Sequence, residues 1–334
     1  MTAKPKKAKP FNLLIVAQHG RLAYEAVILA ASLRAADPGF PGRLIVAHPV
    51  RGPKWDIDPA PRQAPLLALL EGFGAELRPF ESRAFGQSYP HGNKIEALSV
   101  LPPGEPFLFL DTDTLITGKL SDIRFDFDRP SASMRREGTW PRIELYGPGY
   151  DAIWRALYNR FGLEIEPTID RSQPEEYWAR YLYFNAGWFF GADPAAFGRR
   201  FLDWAVALRD DPPAELICQP LDPWLDQAVL PLVIHSFGGG RPGPELAGLD
   251  GDVTCHYRTF PMLYARESDA VVQMLESVTA PNRVKKVLKE YEPILRTVYQ
   301  GRGARARALF DREHLPKREQ MIRNRLRKAG LWMR

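Results

Sequence analysis

Short apolar runs alternate with segments of helical periodicity along the first 110 residues. Four apolar runs predict strands, over residues 11–17, 44–47, 75–80 and 107–110. Apolar positions at helical spacing predict helices between them, over residues 22–36, 64–72 and 93–100. This alternation is typical of an α/β fold, a mainly parallel sheet with helices on both faces, in which ligands bind beyond the carboxyl ends of the strands.

The second half of the chain has a less regular pattern. Pro and Gly interrupt residues 129–180, which we interpret as an excursion over the active face containing one helix at 150–161. Regular structure is predicted to return at 181–191, followed by helices over 194–209 and 224–230, a strand over 233–235 and a loop over 238–251. After about residue 265 the chain becomes helical and basic, without a strand signal.

Composition excludes several classes of protein. The 334 residues are 45% hydrophobic and 25% charged, which is ordinary for a globular chain and excludes charge-dominated disorder. No run approaches the roughly 18 apolar residues of a transmembrane helix, and the first apolar run is read as a strand rather than a signal segment. The 2 cysteines exclude a disulfide framework, so a reducing cytoplasm is expected.

The net charge of +5 hides a strong asymmetry. Residues 1–10 carry four Lys and no acid, and residues 283–334 carry 16 Lys or Arg against 5 Asp or Glu. The part between them is therefore acidic overall. We predict a basic, disordered N-terminal tail over 1–10, one α/β domain over 11–265, and a basic helical C-terminal region over 266–334.

The strongest chemical signal follows the fourth predicted strand. The segment FLFLDTDT delivers Asp111 and Asp113 to the end of an apolar strand. Two carboxylates at this spacing can turn toward one hard cation, and Mn²⁺ or Mg²⁺ are the ions that bridge carboxylates to substrate phosphates. A solvated turn with an Asx cap is the alternative for such a pair.

Five segments follow one another along the chain. In chain order they are GNKIEAL with Asn93 and Lys94, FLFLDTDT, YLYFNAGWFFG with Asn185 and Gly187, WLDQAVL with Asp226 and Gln227, and VTCHYR with His256. Together they resemble the glycosyltransferases of the GT-A fold, the Rossmann-like nucleotide-diphospho-sugar transferases, and most closely family 8 and its relatives. The resemblance covers residues 11 to about 260.

The resemblance implies a role for each matched residue. Asp111, Asp113 and His256 would bind the metal, while Lys94, Asp111 and Thr112 would face the nucleotide. Asn93, Asn185 and Gly187 would contact the substrate, and Asp226 and Gln227 would lie on the far face of the sugar as the catalytic pair. Structural alternatives are a helix-start charge for Lys94, a turn for Asn185, an Arg partner for Asp226 and a core position for His256.

The chain departs from the family pattern at two places. The glycine and lysine that follow the family's histidine and grip the diphosphate are missing in HYRTFP, where Arg258 is the candidate replacement because a guanidinium can fork onto phosphate oxygens. At the end of the first strand the chain reads AQHGRLAY instead of the family's small polar or acidic groups. Gln18 would then bond the base and Tyr24 would stack on it.

The implied activity is metal-dependent transfer of a sugar from a nucleotide-diphospho-sugar, a UDP-sugar by resemblance, to a saccharide or lipid-linked acceptor. The resemblance implies retention of the anomeric configuration, whereas a carboxylate acting as general base would give inversion. Two alternatives are a haloacid dehalogenase-like phosphatase that uses the DTDT motif and a non-catalytic carbohydrate-binding protein of the same fold. The full β-α-β unit before the motif argues against the phosphatase.

The C-terminal sequence REQMIRNRLRKAGLWMR predicts an amphipathic helix. Its cations suit an anionic bilayer surface, which would make the protein cytoplasmic and peripheral at the inner face of the plasma membrane. The alternative is a solvated helix that packs on the acidic domain. Nucleic acid ranks third as a partner, because no known reader module accompanies the charge.

Overall fold

A computed structural model describes residues 10–135, 138 and 140–333. The predicted basic tail, residues 1–10, lies outside the described residues except for Pro10.

The centre of the fold is a five-stranded sheet. Its strands are β1 (Asn12–Val16), β2 (Leu44–Val50), β3 (Ala75–Glu81), β4 (Phe107–Leu110) and β6 (Trp188–Gly191), with β5 (Thr114–Ile116) lying outside this sheet. The strands lie in the order β3-β2-β1-β4-β6. The first four strands are parallel and β6 is antiparallel to β4. The predicted mainly parallel sheet is therefore confirmed, and its strand order reverses beside β1.

Two apolar layers cover the two faces of this sheet. The helices before residue 240 are α1 (Arg21–Ala36), α2 (Ala64–Gly72), α3 (Asn93–Glu96), α4 (Tyr150–Arg160), α5 (Pro194–Asp210) and α6 (Leu225–Ser236). α1 and α2 cover one face, and α3, α5 and α6 cover the other. Helices on both faces, as the sequence pattern predicts, leave the strand ends as the accessible edges of the sheet.

A second, two-stranded sheet joins distant parts of the chain. β5 pairs antiparallel with β7 (Thr254–His256), so that Thr114 lies opposite His256. The peptide N–H of Tyr257 donates to the Asp113 carbonyl at 3.1 Å. This pairing brings His256 beside the end of β4 across about 140 residues of sequence.

One predicted element is wrong and another is shorter than predicted. Residues 233–235 are not a strand: α6 continues to Ser236 with Pro231 inside it. Val233 and Ile234 are completely buried there, and packing overrides the strand preference of β-branched residues. Within 181–191 only Trp188–Gly191 forms a strand.

The C-terminal region consists of short helices that pack on the sheet domain. They are α7 (Phe260–Arg266), α8 (Asp269–Thr279), α9 (Asn282–Leu288), α10 (Glu292–Ile294), α11 (Arg302–Ala308) and α12 (Glu319–Lys328), with a π-helical turn at Leu295–Tyr299. α8 contacts α1, α9 contacts α2, and both α11 and α12 contact α7. In α12 the apolar residues Ile322 and Leu326 are buried in the same core as α1.

Candidate active site

A cleft opens where the sheet order reverses, at the carboxyl ends of β1 and β4. It has a larger lobe of about 400 Å³ and a smaller lobe of about 210 Å³. Both lobes are lined by His91, Lys94, Asp111 and Asp113. A crevice at the reversal of strand order is where ligands bind in open α/β sheets.

Three predicted metal ligands meet on the floor of this cleft. The ligand atoms of Asp111, Asp113 and His256 all lie within 4.8 Å of one another. The His256 Nε2 atom is 3.1 Å from an Asp113 carboxylate oxygen and 3.8 Å from one of Asp111. Two carboxylates and one imidazole are a donor set suited to a divalent cation such as Mn²⁺ or Mg²⁺. These residues therefore fit the metal that the resemblance implies.

The position of the His256 ring depends on a glycine. A Cβ atom on Gly187 would lie 2.6 Å from His256 Nδ1, so only glycine leaves the ring where it is. The Asn185 side-chain oxygen accepts a hydrogen bond from the Gly187 N–H at 2.7 Å, and Ala186 between them has a left-handed φ of 56°. The FNAG segment thus shapes the backbone around the predicted metal ligand, and Asn185 itself lines the larger lobe.

Lys94 connects the two groups of carboxylates. Its ammonium nitrogen lies 2.9 Å from Asp111 and 3.2 Å from Asp226, and it donates to the Ala186 carbonyl at 3.2 Å. Asp226 is only 1% exposed and also accepts a hydrogen bond from the Tyr89 hydroxyl at 2.8 Å. Among the described residues Asp226 therefore pairs with Lys94 and Tyr89, and not with an arginine as in the structural alternative.

Burial and neighbouring charges shift the pKa values of two side chains on the floor, Lys94 and Asp113. Burial alone would lower the pKa of Lys94, but Asp111 and Asp226 raise it above its ordinary value. Burial would raise the pKa of Asp113, yet His256 and then Arg21 lower it well below its ordinary value. Both side chains are therefore charged at neutral pH.

The other predicted catalytic residue, Gln227, also reaches the larger lobe. Its side-chain oxygen accepts a hydrogen bond from the Tyr183 hydroxyl at 2.5 Å. Tyr183 comes from the same YLYFNAGWFFG segment as Asn185, so one segment shapes the surroundings of the predicted metal ligand His256 and also holds Gln227.

The smaller lobe contains several of the residues predicted to meet the nucleotide or the substrate. Gln18, Asn93 and Thr112 all line it. The Asn93 amide donates to the Gln18 side-chain oxygen at 3.3 Å, while the buried Asn93 side-chain oxygen has no hydrogen-bond partner among the described residues. The Thr112 hydroxyl is used within the fold, because it donates to the Val16 carbonyl at 2.6 Å.

Tyr24 does not lie where base stacking would place it. Its ring is 5% exposed and stacks on Tyr291, with centroids 5.1 Å apart, and Tyr24 does not line either lobe of the cleft. The reason is the direction of α1, whose Tyr24 face packs against the C-terminal helices that the sequence could not place. Among the aromatic residues of 129–180, Trp140 and Trp154 are core residues, packed edge to face at 5.7 Å, whereas Tyr146 is exposed.

Several cleft residues were not predicted from the sequence. Arg21 lies 3.5 Å from Asp113 and donates to the carbonyl of Arg258 at 2.8 Å, and Arg258 has a left-handed φ of 65°. Its position as the first residue of α1, just after β1, is the signal that could have identified it. His91 lines both lobes without any local motif.

Helix α12 and the residues that follow it form one wall of the larger lobe, called the C-terminal wall below. Glu319, Gln320, Arg323 and Trp332 line it together with Arg258. The predicted tail is thus part of the cleft, in agreement with the alternative that it packs on the domain.

Comparison with known families assigns the chain. The sequence profile described as the Rhodobacterales glycosyltransferase domain matches residues 13–238. The chain belongs to this glycosyltransferase family. The matched segment of this glycosyltransferase includes Lys94, Asp111, Asp113 and Asp226, whereas His256, Arg258 and α12 lie beyond it. The prediction of a glycosyltransferase is confirmed, and the phosphatase and non-catalytic alternatives are set aside.

Similar solved structures are also glycosyltransferases. LgtC in complex with donor and acceptor sugar analogs is 16% identical, with 82% of this chain and 99% of LgtC covered and a TM-score of 0.46. The apo bifunctional enzyme WbbM is 13% identical, with 86% and 52% covered and a TM-score of 0.46. GlyE of Streptococcus pneumoniae TIGR4 is 12% identical, with 97% and 64% covered and a TM-score of 0.40. No curated protein matches the glycosyltransferase.

Proposed function

We propose that this glycosyltransferase moves a hexose from a UDP-sugar to a saccharide or glycolipid acceptor, with Mn²⁺ or Mg²⁺ and with retention of configuration. The observation that carries the proposal is the convergence of Asp111, Asp113 and His256 within 4.8 Å, beside the Lys94 and Asp226 pair. The two lobes match a two-part donor, with the nucleoside in the smaller lobe and the sugar in the larger one.

The floor of the cleft is built for a leaving diphosphate. Breaking the anomeric C–O bond leaves negative charge on the diphosphate, and charges placed where that charge develops lower the barrier. A divalent cation held by Asp111, Asp113 and His256 would supply Lewis-acid stabilisation of that charge. Lys94 adds a fixed positive charge, and its contacts with Asp111 and Asp226 keep it at the junction of the two lobes.

The opposite side of the sugar would face Asp226 and Gln227. The Asp226 carboxylate would stabilise positive charge at the anomeric carbon, because it is fixed by Lys94 and Tyr89 in a buried position. Since both of these partners hold it, Asp226 is better arranged for electrostatic support than for removal of a proton. The Gln227 side chain, fixed by Tyr183, would orient the sugar. This arrangement supports retention over the general-base alternative.

A thermal-shift screen tests the donor. UDP-sugars and UDP should raise the melting temperature only when Mn²⁺ or Mg²⁺ is present, whereas GDP should not. The Asp113→Ala variant is the control, because it should lose the metal-dependent shift. If no nucleotide shifts the wild-type protein under any metal condition, the proposed donor class is wrong.

The stereochemistry needs a separate experiment. Proton NMR of the first-formed product from an α-linked donor should show an α-linked anomer. A β-linked first product would contradict retention and would restore the general-base mechanism.

An anionic membrane surface stays a predicted partner, with the exposed cations of α12 as the contact. No helix among the described residues is long and apolar enough to cross a bilayer. Since Ile322 and Leu326 are buried in the fold, the contact with lipid headgroups would rest on exposed cations such as Arg325 and Lys328. Liposome flotation on anionic lipid should decrease when these two residues are both changed to Glu; unchanged flotation would count against the membrane contact.

A further inference from the structure

The C-terminal helix brings a cation to the active-site cleft from far outside the family-matched segment. Arg323 on α12 lines the larger lobe, while the profile match ends at residue 238. The net positive charge of the C-terminal region predicts a membrane contact from the sequence. The structure places part of that charge in the lining of the same lobe as the predicted metal ligands.

Arg323 is held in place by neighbours on both sides. Its guanidinium forms an ion pair with the buried Glu319 and lies 5.4 Å from the centroid of the Trp332 ring. Glu319 in turn is 2.9 Å from Arg266 and 4.0 Å from Arg258. A guanidinium with fixed neighbours loses little side-chain entropy when it binds an anion.

The shared partner Glu319 links Arg323 to Arg258 in the lining of the larger lobe. Arg258, which contacts Glu319, is two residues after His256, and it lines the same lobe as Arg323. On the floor, Lys94 already contacts the carboxylates of Asp111 and Asp226. An anion at the junction of the lobes would therefore face Lys94 from below and the two guanidinium groups from the C-terminal wall.

We propose that Arg323, together with Arg258, binds the diphosphate of the donor and of the nucleotide product, with Glu319 and Trp332 as positioning residues. The inference rests on the proposed function, because it takes the anion at the junction to be a nucleoside diphosphate. Guanidinium groups bind phosphate oxygens in a forked geometry, which suits two neighbouring phosphates. The C-terminal helix is then a component of the donor site of this chain.

Calorimetric titration in Mn²⁺ tests the inference, with UDP and GDP as diphosphates and uridine and guanosine as nucleosides. Arg323→Gln should weaken binding of the diphosphate about tenfold and leave nucleoside binding within about twofold. The matched control is Arg325→Gln, which removes an arginine two positions along the same helix, where its guanidinium lies over Phe310 rather than in the cleft. This control should bind like the wild type.

Arg323→Lys separates the contribution of the positive charge from that of the forked guanidinium geometry. It keeps the positive charge but not the fork, so it should lose less affinity than Arg323→Gln. Diphosphate affinity unchanged in Arg323→Gln, or equal losses for nucleoside and diphosphate, would each overturn the inference. If the wild type binds neither diphosphate, the proposed function fails first, and the inference fails with it.

Discussion

The floor and the C-terminal wall of the cleft differ in their predominant charge and in the part of the chain that builds them. The floor carries three carboxylates, those of Asp111, Asp113 and Asp226, which lie within the family-matched segment, and also His256, which lies beyond it. The wall carries Arg258 and Arg323 with their shared partner Glu319, all beyond the segment. Carboxylates suit a cation and arginines suit an anion, so the two sides together fit a metal-bound diphosphate.

One cleft thus combines residues inside the family-matched segment with residues that lie far beyond it in the sequence. The floor is built on strand ends and on the start of a helix, which the sheet topology fixes. The wall is built on a late helix whose position depends on packing of Ile322 and Leu326. We therefore expect changes in the floor to have larger effects than changes in the wall.

The largest effect should come from Lys94→Met, which leaves Asp226 buried without its cation. Breaking a buried ion pair by removing one partner costs about 3–5 kcal/mol, so the free energy of unfolding should fall by that amount. Urea denaturation followed by circular dichroism measures it. The control is Lys119→Met at an exposed position, which should change stability by less than about 0.5 kcal/mol. A Lys94→Met variant as stable as the control would contradict the role of this pair.

The second-largest effect should come from Asp113→Ala, which should lower the rate of sugar transfer. Removing this carboxylate takes away a predicted metal ligand, so transfer should decrease at least about 100-fold. A coupled assay for the released nucleoside diphosphate measures the rate, and titration with Mn²⁺ measures the metal affinity. Asp128→Ala, at an exposed site, is the control and should retain full activity. Metal-dependent transfer that survives in Asp113→Ala would rule out the proposed ligand set.

The sequence predicts more of the floor of the cleft than of its C-terminal wall. Strand β4 and the two aspartates after it were predictable, because four apolar residues followed by acids form a local pattern. The position of His256 could be expected only from resemblance, since β5 and β7 have three residues each and show no periodicity.

Apart from Arg258, the residues of the wall could not be predicted, because their signals are not local. Amphipathic spacing predicted a helix at α12, but the same apolar face would serve for a membrane or for the protein core. Tyr24 was misplaced for the same reason, because its partner Tyr291 belongs to the C-terminal region. Packing between segments far apart in sequence decided both cases.

Gly187→Ala should have an intermediate effect, on metal binding. The new Cβ would lie 2.6 Å from His256 Nδ1 and 2.9 Å from the Asn185 side-chain oxygen, so the ring must move while the fold remains. Displacing a support of a ligand typically costs about 10–100-fold in metal affinity, which Mn²⁺ titration by electron paramagnetic resonance measures. Gly39→Ala is the control, because nothing lies within 4 Å of its added Cβ. Equal affinities in the two variants would show that His256 is not a ligand.

The smallest effect should come from the wall, with Trp332→Leu. The Trp332 ring lies 5.4 Å from the Arg323 guanidinium and 5.1 Å from that of Arg327, so its loss should loosen Arg323 without removing the charge. A cation–π contact at a partly exposed site is worth about 0.5–1 kcal/mol, so affinity for the nucleoside diphosphate should decrease about threefold. Trp332→Phe keeps an aromatic face and should bind like the wild type. If the Leu variant instead loses as much affinity as Arg323→Gln, then Trp332 contacts the nucleotide directly and the wall has an aromatic binding surface of its own.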